Sequence, residues 1–189
     1  MRHEKRWQVR PYGGVIRFTL DTSIVIAADK RQTVHDLESI DRLIELGHQG
    51  SITLQLTEAY ERDFSRYDDH VGRQQRLGWL QQNPITEHRS SGAFRLGVSV
   101  LDGNDILIDS DEATLNDQLI AILGVRGQSV AKAYSDIDHL LAHSRSKADA
   151  FITVDESTIL NRRHALALLG ITVLSPAEAV SRVLTSQPL

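Results

Sequence analysis

The chain contains no cysteine, a single methionine, four prolines and few aromatic residues, 5% of its 189 positions. Without cysteine there is no disulfide framework, no thiol nucleophile and no cysteine-ligated zinc or cluster. That absence is compatible with a reducing compartment, and a cytoplasmic location is the expectation. No run reaches 18 apolar residues, so no membrane span is expected. The start, Met1-Arg2-His3-Glu4-Lys5-Arg6-Trp7, is basic but leads into no apolar signal core. Neither sign of charge dominates: 21 Lys and Arg stand against 25 Asp and Glu, a net −4. Proteins that coat nucleic acid non-specifically are usually basic, so bulk coating is disfavoured, whereas a basic rim around an acidic centre is not. What is present is ordinary globular material, 41% hydrophobic and 24% charged. It suffices for one core, and a single domain over 1–189 is expected.

Val15-Ile16-Arg17-Phe18-Thr19-Leu20 reads as a buried strand. Thr33 is placed to cap a helix, with Asp36 in the capping-box position, helical spacing from Val34 to Ile44 and Gly47 as a stop. A second strand covers 51–56, and a helix from Thr57 carries Glu58 in its first turn. Pro84 ends a helix over 74–82. Phe94 to Leu101 and Ile106 to Ile108 read as short strands around the turn-rich Asp102-Gly103-Asn104-Asp105. Residues 62–125 do not give a clean strand–helix–strand repeat and are treated as an insertion or elaborated region. A helix over 111–123 follows, then one over 136–146 capped by Ser135. Strand 150–154, a helix over 157–169, strand 171–174 and a last helix begun by Ser175-Pro176 complete the chain. Strand–helix–strand at the start, with alternation after 135, argues for a mostly parallel α/β sheet in three layers, α/β/α.

Four acids sit where apolar runs end or amphipathic stretches begin: Asp21, Glu58, Asp136 and Asp155. Strand C-termini of a parallel sheet share one edge, where ligands bind. Carboxylates gathered there would suit a hard cation such as Mg²⁺ or Mn²⁺, and with it phosphate chemistry. Asp138 competes with Asp136 but faces about 200° around the helix, so only one can point into a site.

Leu20-Asp21-Thr22-Ser23-Ile24-Val25-Ile26 resembles the opening motif of PIN-domain nucleases, and Asp136 through Asp155 resembles their closing motif. In that family an acid starts a helix, a His often follows three positions later, and Thr-x-Asp follows a short apolar strand. The matching residues are Asp136, His139 and Thr153-Val154-Asp155. The resemblance covers about 15–60 and 130–180 and leaves 1–14 and 62–125 unmatched. It implies a PIN-like fold and a Mg²⁺- or Mn²⁺-dependent endoribonuclease cutting single-stranded RNA, similar to the VapC-like ribonuclease toxin of a toxin–antitoxin pair. A small antitoxin protein and a homodimer are the implied partners. Asp21, Asp136 and Asp155 are the expected metal ligands, Glu58 a fourth catalytic acid, and Ser23 and Thr153 their supports. Arg126, Lys132, Arg162 and Arg163 are candidates for an RNA path.

Blander readings stand beside these. Asp21 and Asp155 could simply cap helices. His139 and His143 have the i, i+4 spacing of helical zinc sites, but a packed pair is the stronger reading, since no Glu follows His139. Two other functional classes compete: a phosphatase-type hydrolase with Asp21 as nucleophile, and a non-catalytic PIN-like scaffold for metal or protein. The haloacid-dehalogenase pattern wants a second Asp where Ser23 stands.

Overall fold

The computed structural model describes residues 14–32, 36–65, 70–88, 92–93, 105–106, 109–124 and 130–186. Thr33 and the strand expected over 94–101 lie outside them. In chain order the elements are β1 (Ile16–Leu20), α1 (Thr22–Asp29), α2 (Leu37–His48), β2 (Ile52–Thr57), α3 (Ala59–Ser65), α4 (His70–Gln82) and β3 (Ile85–His88). Then come β4 (Gly92–Ala93), β5 (Asp105–Ile106), α5 (Ser110–Leu123), α6 (Val130–Ser146), β6 (Ala150–Ile152), a 3₁₀ turn (Leu160–Arg162), α7 (Arg163–Leu168), β7 (Val173–Leu174) and α8 (Pro176–Ser186).

Five strands form one sheet in the order β3-β2-β1-β6-β7, and every pairing in it is parallel. Leu20 lies opposite Leu56 on one side and Ile152 on the other. The early strands extend the sheet one way from β1 and the late strands the other way. The strand order therefore reverses between β1 and β6, and the crevice outside their C-termini is the topological switch point, where ligands of open parallel sheets bind.

Side-chain alternation along each strand divides the core. Phe18, Leu20, Leu54, Leu56, Ala150 and Ile152 join one apolar cluster with Ile24, Val25, Ile40, Leu43, Ala179 and Val183 of α1, α2 and α8. Phe151 and Val173 join a second cluster with Leu119 and Leu123 of α5 and Ile137, Leu140 and Leu141 of α6. Each fully buried Val, Leu, Ile or Phe side chain among them contributes about 1.5–3 kcal/mol. On the β1–β2 part of the α6 face the strands are polar instead. Thr19, Gln55 and Thr57 are all buried there. Gln55 Nε2 donates to Thr19 Oγ1 at 3.0 Å, and His143 Nδ1 of α6 lies 2.9 Å from the same hydroxyl. A strand face that reads as polar is thus covered by a helix carrying histidines, and every buried group named there has a hydrogen bond.

Several sequence expectations change. Asp36 is itself the cap of α2, accepting from Ser39 N at 3.0 Å. Gly47 lies inside α2 and serves close packing: a Cβ there would stand 2.9 Å from Pro84 Cγ and 3.1 Å from Leu54 Cδ1. The stop is Gly50 at φ +69°, a left-handed conformation that lets Ser51 N reach back to Leu46 O at 3.0 Å. α6 starts at Val130, so Ser135 is mid-helix and Asp136 does not open a helix. The helix expected over 157–169 is a turn, a short 3₁₀ segment and the brief α7. Ser175 does cap α8, reciprocally with Glu178: Glu178 N donates to Ser175 Oγ at 3.3 Å and Ser175 N to Glu178 Oε2 at 2.9 Å.

The expected class, a three-layer PIN-like α/β/α fold on a mostly parallel sheet, is corrected to an α/β fold on an all-parallel five-stranded sheet with a separate pair, β4–β5. The middle of the chain causes the difference. It supplies β3 in parallel beside β2 after the α4 crossover, although Ile85-Thr86-Glu87-His88 carries only one strongly apolar residue. β4 and β5 pair parallel, which rules out a hairpin closing around 102–105, since a hairpin pairs its strands antiparallel.

Candidate functional site

The acid nearest the switch point is Asp21. Its backbone N donates to Ile152 O at 2.8 Å, which extends the β1–β6 pairing one residue beyond Leu20. Its side chain makes no capping bond to α1. Oδ2 instead accepts from Thr153 Oγ1 at 2.5 Å and from Ser23 Oγ at 2.7 Å, with the carboxylate buried. The capping explanation for Asp21 is thereby removed.

Thr153, fully buried just past β6, connects two acids. Its hydroxyl donates to Asp21 and accepts from Asp155 N at 3.0 Å. A hydroxyl has one proton and two lone pairs, so this arrangement fixes its orientation. Asp155 Oδ1 accepts from Ser157 Oγ at 2.7 Å and Thr158 N at 2.9 Å, which ties down the turn at 156–159; no helix starts there, so this is a turn contact and not a helix cap. Burial works to raise the Asp155 pKa, but Ser157, the Thr158 N–H and the charge of Lys132 outweigh it, and the carboxyl lies below its ordinary value.

Asp136 comes to the same place from α6. Its Oδ2 is buried and has no hydrogen-bond partner. Burial first, then the negative charge of Asp21, then that of Asp155, push this carboxyl up to about 7, while Lys132 and His139 pull in the other direction. Lys132 is exposed one turn earlier on α6. Of the two competing acids on this helix, Asp136 is the one that senses Asp21 and Asp155, and Asp138 is buried.

The remaining sequence candidates fall elsewhere. Glu58 occupies the turn between β2 and α3. Its charge acts on Tyr60, which burial, Glu87, Glu61 and Glu58 raise to about 12. Arg162 holds the turn before α7, with Nε donating to Ile122 O at 3.0 Å and Nη1 to Thr158 O at 3.1 Å. Arg163 pairs with Glu178 at 2.8 Å. Arg126 lies outside the described residues.

Sequence reasoning missed Asp63 on α3. Asp63 Oδ2 lies 2.8 Å from His139 Nε2, and Ser135 Oγ donates to Asp63 Oδ1 at 2.5 Å. Burial acts to raise the Asp63 carboxyl, yet His139 and the hydroxyl donors bring it down to about 2. For His139 burial lowers the pKa, and Asp63, Asp21 and Asp136 together raise it above its ordinary value. Nothing local in Glu61-Arg62-Asp63-Phe64 marks this acid, because its partner is 76 residues away.

Among the described residues no group of three or more His, Asp or Glu side chains stands close enough to hold a metal ion as placed. The donor chemistry nevertheless suits a hard divalent cation: the charges of Asp21 and Asp155 both bear on Asp136, and its buried Oδ2 has no donor.

No family model matches the chain, and no curated protein matches it. Similar solved structures include VapBC2 from Rickettsia felis bound to a DNA fragment from their promoter, 11% identical, covering 85% of this chain and 98% of that chain at a TM-score of 0.49. FitAcB from Neisseria gonorrhoeae is 13% identical with the same coverage, at a TM-score of 0.42. Both are toxin–antitoxin complexes. The assignment to the PIN-domain nuclease family is therefore withdrawn: no family model carries it. At such identities and scores neither likeness assigns a role. No helix among the described residues is long and apolar enough to cross a membrane.

Proposed function

We propose that the chain is a Mg²⁺- or Mn²⁺-dependent phosphodiester hydrolase working at Asp21, Asp136 and Asp155, with single-stranded RNA as its substrate. The observation that carries this reading is the buried, partnerless Asp136 Oδ2 beside the charges of Asp21 and Asp155 at the switch point. Asp21 and Asp136 would hold the ion directly, and Asp155 directly or through water. A divalent ion bound there supplies charge neutralisation, polarisation of a phosphoryl oxygen and a more acidic water.

The chain's own residues prepare that chemistry. Ser23 and Thr153 both donate to Asp21 Oδ2, which fixes the plane of the carboxylate. Thr153 also anchors the backbone of Asp155, so the two acids move as a unit. Asp136 titrates near neutral pH. That value belongs to the metal-free chain: a divalent ion held there would compete with the proton and keep the carboxylate ionised, and the nucleophile would be water, with no Ser or Cys required. Lys132, exposed at the same end of α6, offers positive charge to an anionic strand.

A toxin–antitoxin setting, as in the two similar complexes, would add a protein partner; at their scores those complexes lend the chemistry no support. A non-catalytic reading has one observation on its side, the lack of a ready-made three-ligand group among the described residues. A fluorescent single-stranded RNA and a matched DNA, incubated with Mg²⁺, Mn²⁺ or chelator, separate the two readings. Cleavage that chelator abolishes, and that Asp21→Asn loses while melting normally, supports hydrolysis. Nucleic-acid or protein binding with no cleavage under either metal overturns it and favours the scaffold.

A further inference from the structure

We infer that Asp63 and His139 act as a positioning pair for the acidic edge, fixing its carboxylates through their immediate chain neighbours. This inference rests on the hydrolase reading above. The contacts of the pair have a pattern. His139 Nδ1 lies 2.7 Å from Thr57 Oγ1, and Thr57 directly precedes Glu58. His139 Nε2 lies 3.2 Å from Thr22 Oγ1, and Thr22 directly follows Asp21. Ser135, which donates to Asp63, directly precedes Asp136. His139 itself sits one helical turn after Asp136 on α6.

Four elements that frame the edge, the end of β2 and helices α1, α3 and α6, thus meet at one imidazole that is 1% exposed. An ion pair used only to hold the fold could sit anywhere along α6. This one touches the residues beside Asp21 and Asp136, two of the three acids of the proposed site, and the residue beside Glu58. Groups that orient metal-binding carboxylates without touching the ion typically change metal affinity or activity by about 10–100-fold when removed. Neither Asp63 nor His139 needs to reach a ligand for this role, so both are positioning residues rather than catalytic ones.

The test is Mn²⁺ binding measured by calorimetry, beside thermal melting, for the whole chain and two variants. Asp63→Asn keeps the shape of the side chain and removes its charge. His143→Gln perturbs a second buried histidine of the same helix, one that bonds to Thr19 mid-strand and not to a neighbour of an acid. The expected result is Mn²⁺ binding weakened at least about 10-fold in Asp63→Asn. Binding should change less than twofold in His143→Gln, even where that variant melts lower, and Asp63→Glu should recover part of the loss. If Asp63→Asn does not fold, Thr57→Val removes the opposite contact of His139 and is expected to weaken binding in the same direction. Unchanged Mn²⁺ binding in the folded variants, or an equal loss in His143→Gln, overturns the positioning role alone. Absence of Mn²⁺ binding by the wild-type chain overturns the hydrolase reading and this inference together.

Discussion

Replacing Asp136 by Asn should make the metal-free protein more stable at pH 8, and the structure gives the size. The carboxyl titrates at about 7 in the folded chain against an ordinary 3.8. A raised pKa means that the folded state resists ionisation. Relative to a neutral Asn, wild-type stability is undiminished below about pH 4 and falls as pH climbs toward 7. Above that it levels off, since both states are then ionised. A gap of this width corresponds to roughly 4 kcal/mol at 1.36 kcal/mol per pH unit, and partial exposure of the residue reduces the expectation to about 2–4 kcal/mol. Urea denaturation of Asp136→Asn and wild type at pH 4.5 and pH 8, both in chelator, measures it. With a urea slope of about 2 kcal/mol per molar, the variant's midpoint at pH 8 should be about 1–2 M higher, shrinking toward wild type at pH 4.5. Divalent cation added at pH 8 should raise the wild type and leave the variant nearly unmoved. Equal midpoints in chelator at pH 8 would refute the argument that burial and the charges of Asp21 and Asp155 load this carboxyl.

Thr153→Val removes the donor to Asp21 and the acceptor for Asp155 N while preserving shape, so chemical denaturation should show a loss of about 1–3 kcal/mol, with any cleavage activity falling alongside. His143 is buried and neutral, its pKa pushed down to about 4 chiefly by burial. The stability tied to it is complete above pH 6.5 and drains as pH falls toward 4, by roughly 3 kcal/mol, so a melting series from pH 7 to 4 should be flatter in His143→Gln than in wild type. Asp63, down at about 2, adds only a small slope at the acid end of that window, since most of its stability is lost below 3.8.

Local signals carried much of the fold. β1 and β2 were legible because their apolar residues are consecutive or alternate, and Ser175-Pro176 marked the start of the last helix. β3 was not, because a strand at the sheet edge can be mostly polar and still pair in parallel with Leu54 to Thr57. The start of α6 was misread because Ser135 looks like a cap, whereas its hydroxyl is taken by Asp63 from another helix. In the candidate site, Asp21 and Asp155 were picked out where apolar runs end, and Asp136 where an amphipathic stretch begins, although α6 starts earlier, at Val130. Glu58 was chosen by the first rule and lies in the turn between β2 and α3. Asp63 broke no local pattern and so gave no signal.

The sequence by itself determined β1, β2 and most of the long helices, and that Asp21 and Asp155 follow apolar runs, because periodicity and run length act over a few residues. It also settled what chemistry is absent, since without cysteine there are no thiolate ligands. Only the tertiary structure decided which acids share a field, which one is left with a buried and partnerless oxygen, and that Asp63 and His139 stand beside them. Those properties depend on burial and on charges brought together from β1, α3, α6 and the turn after β6. The switch point between β1 and β6 sets that distance in space, and no spacing along the chain encodes it.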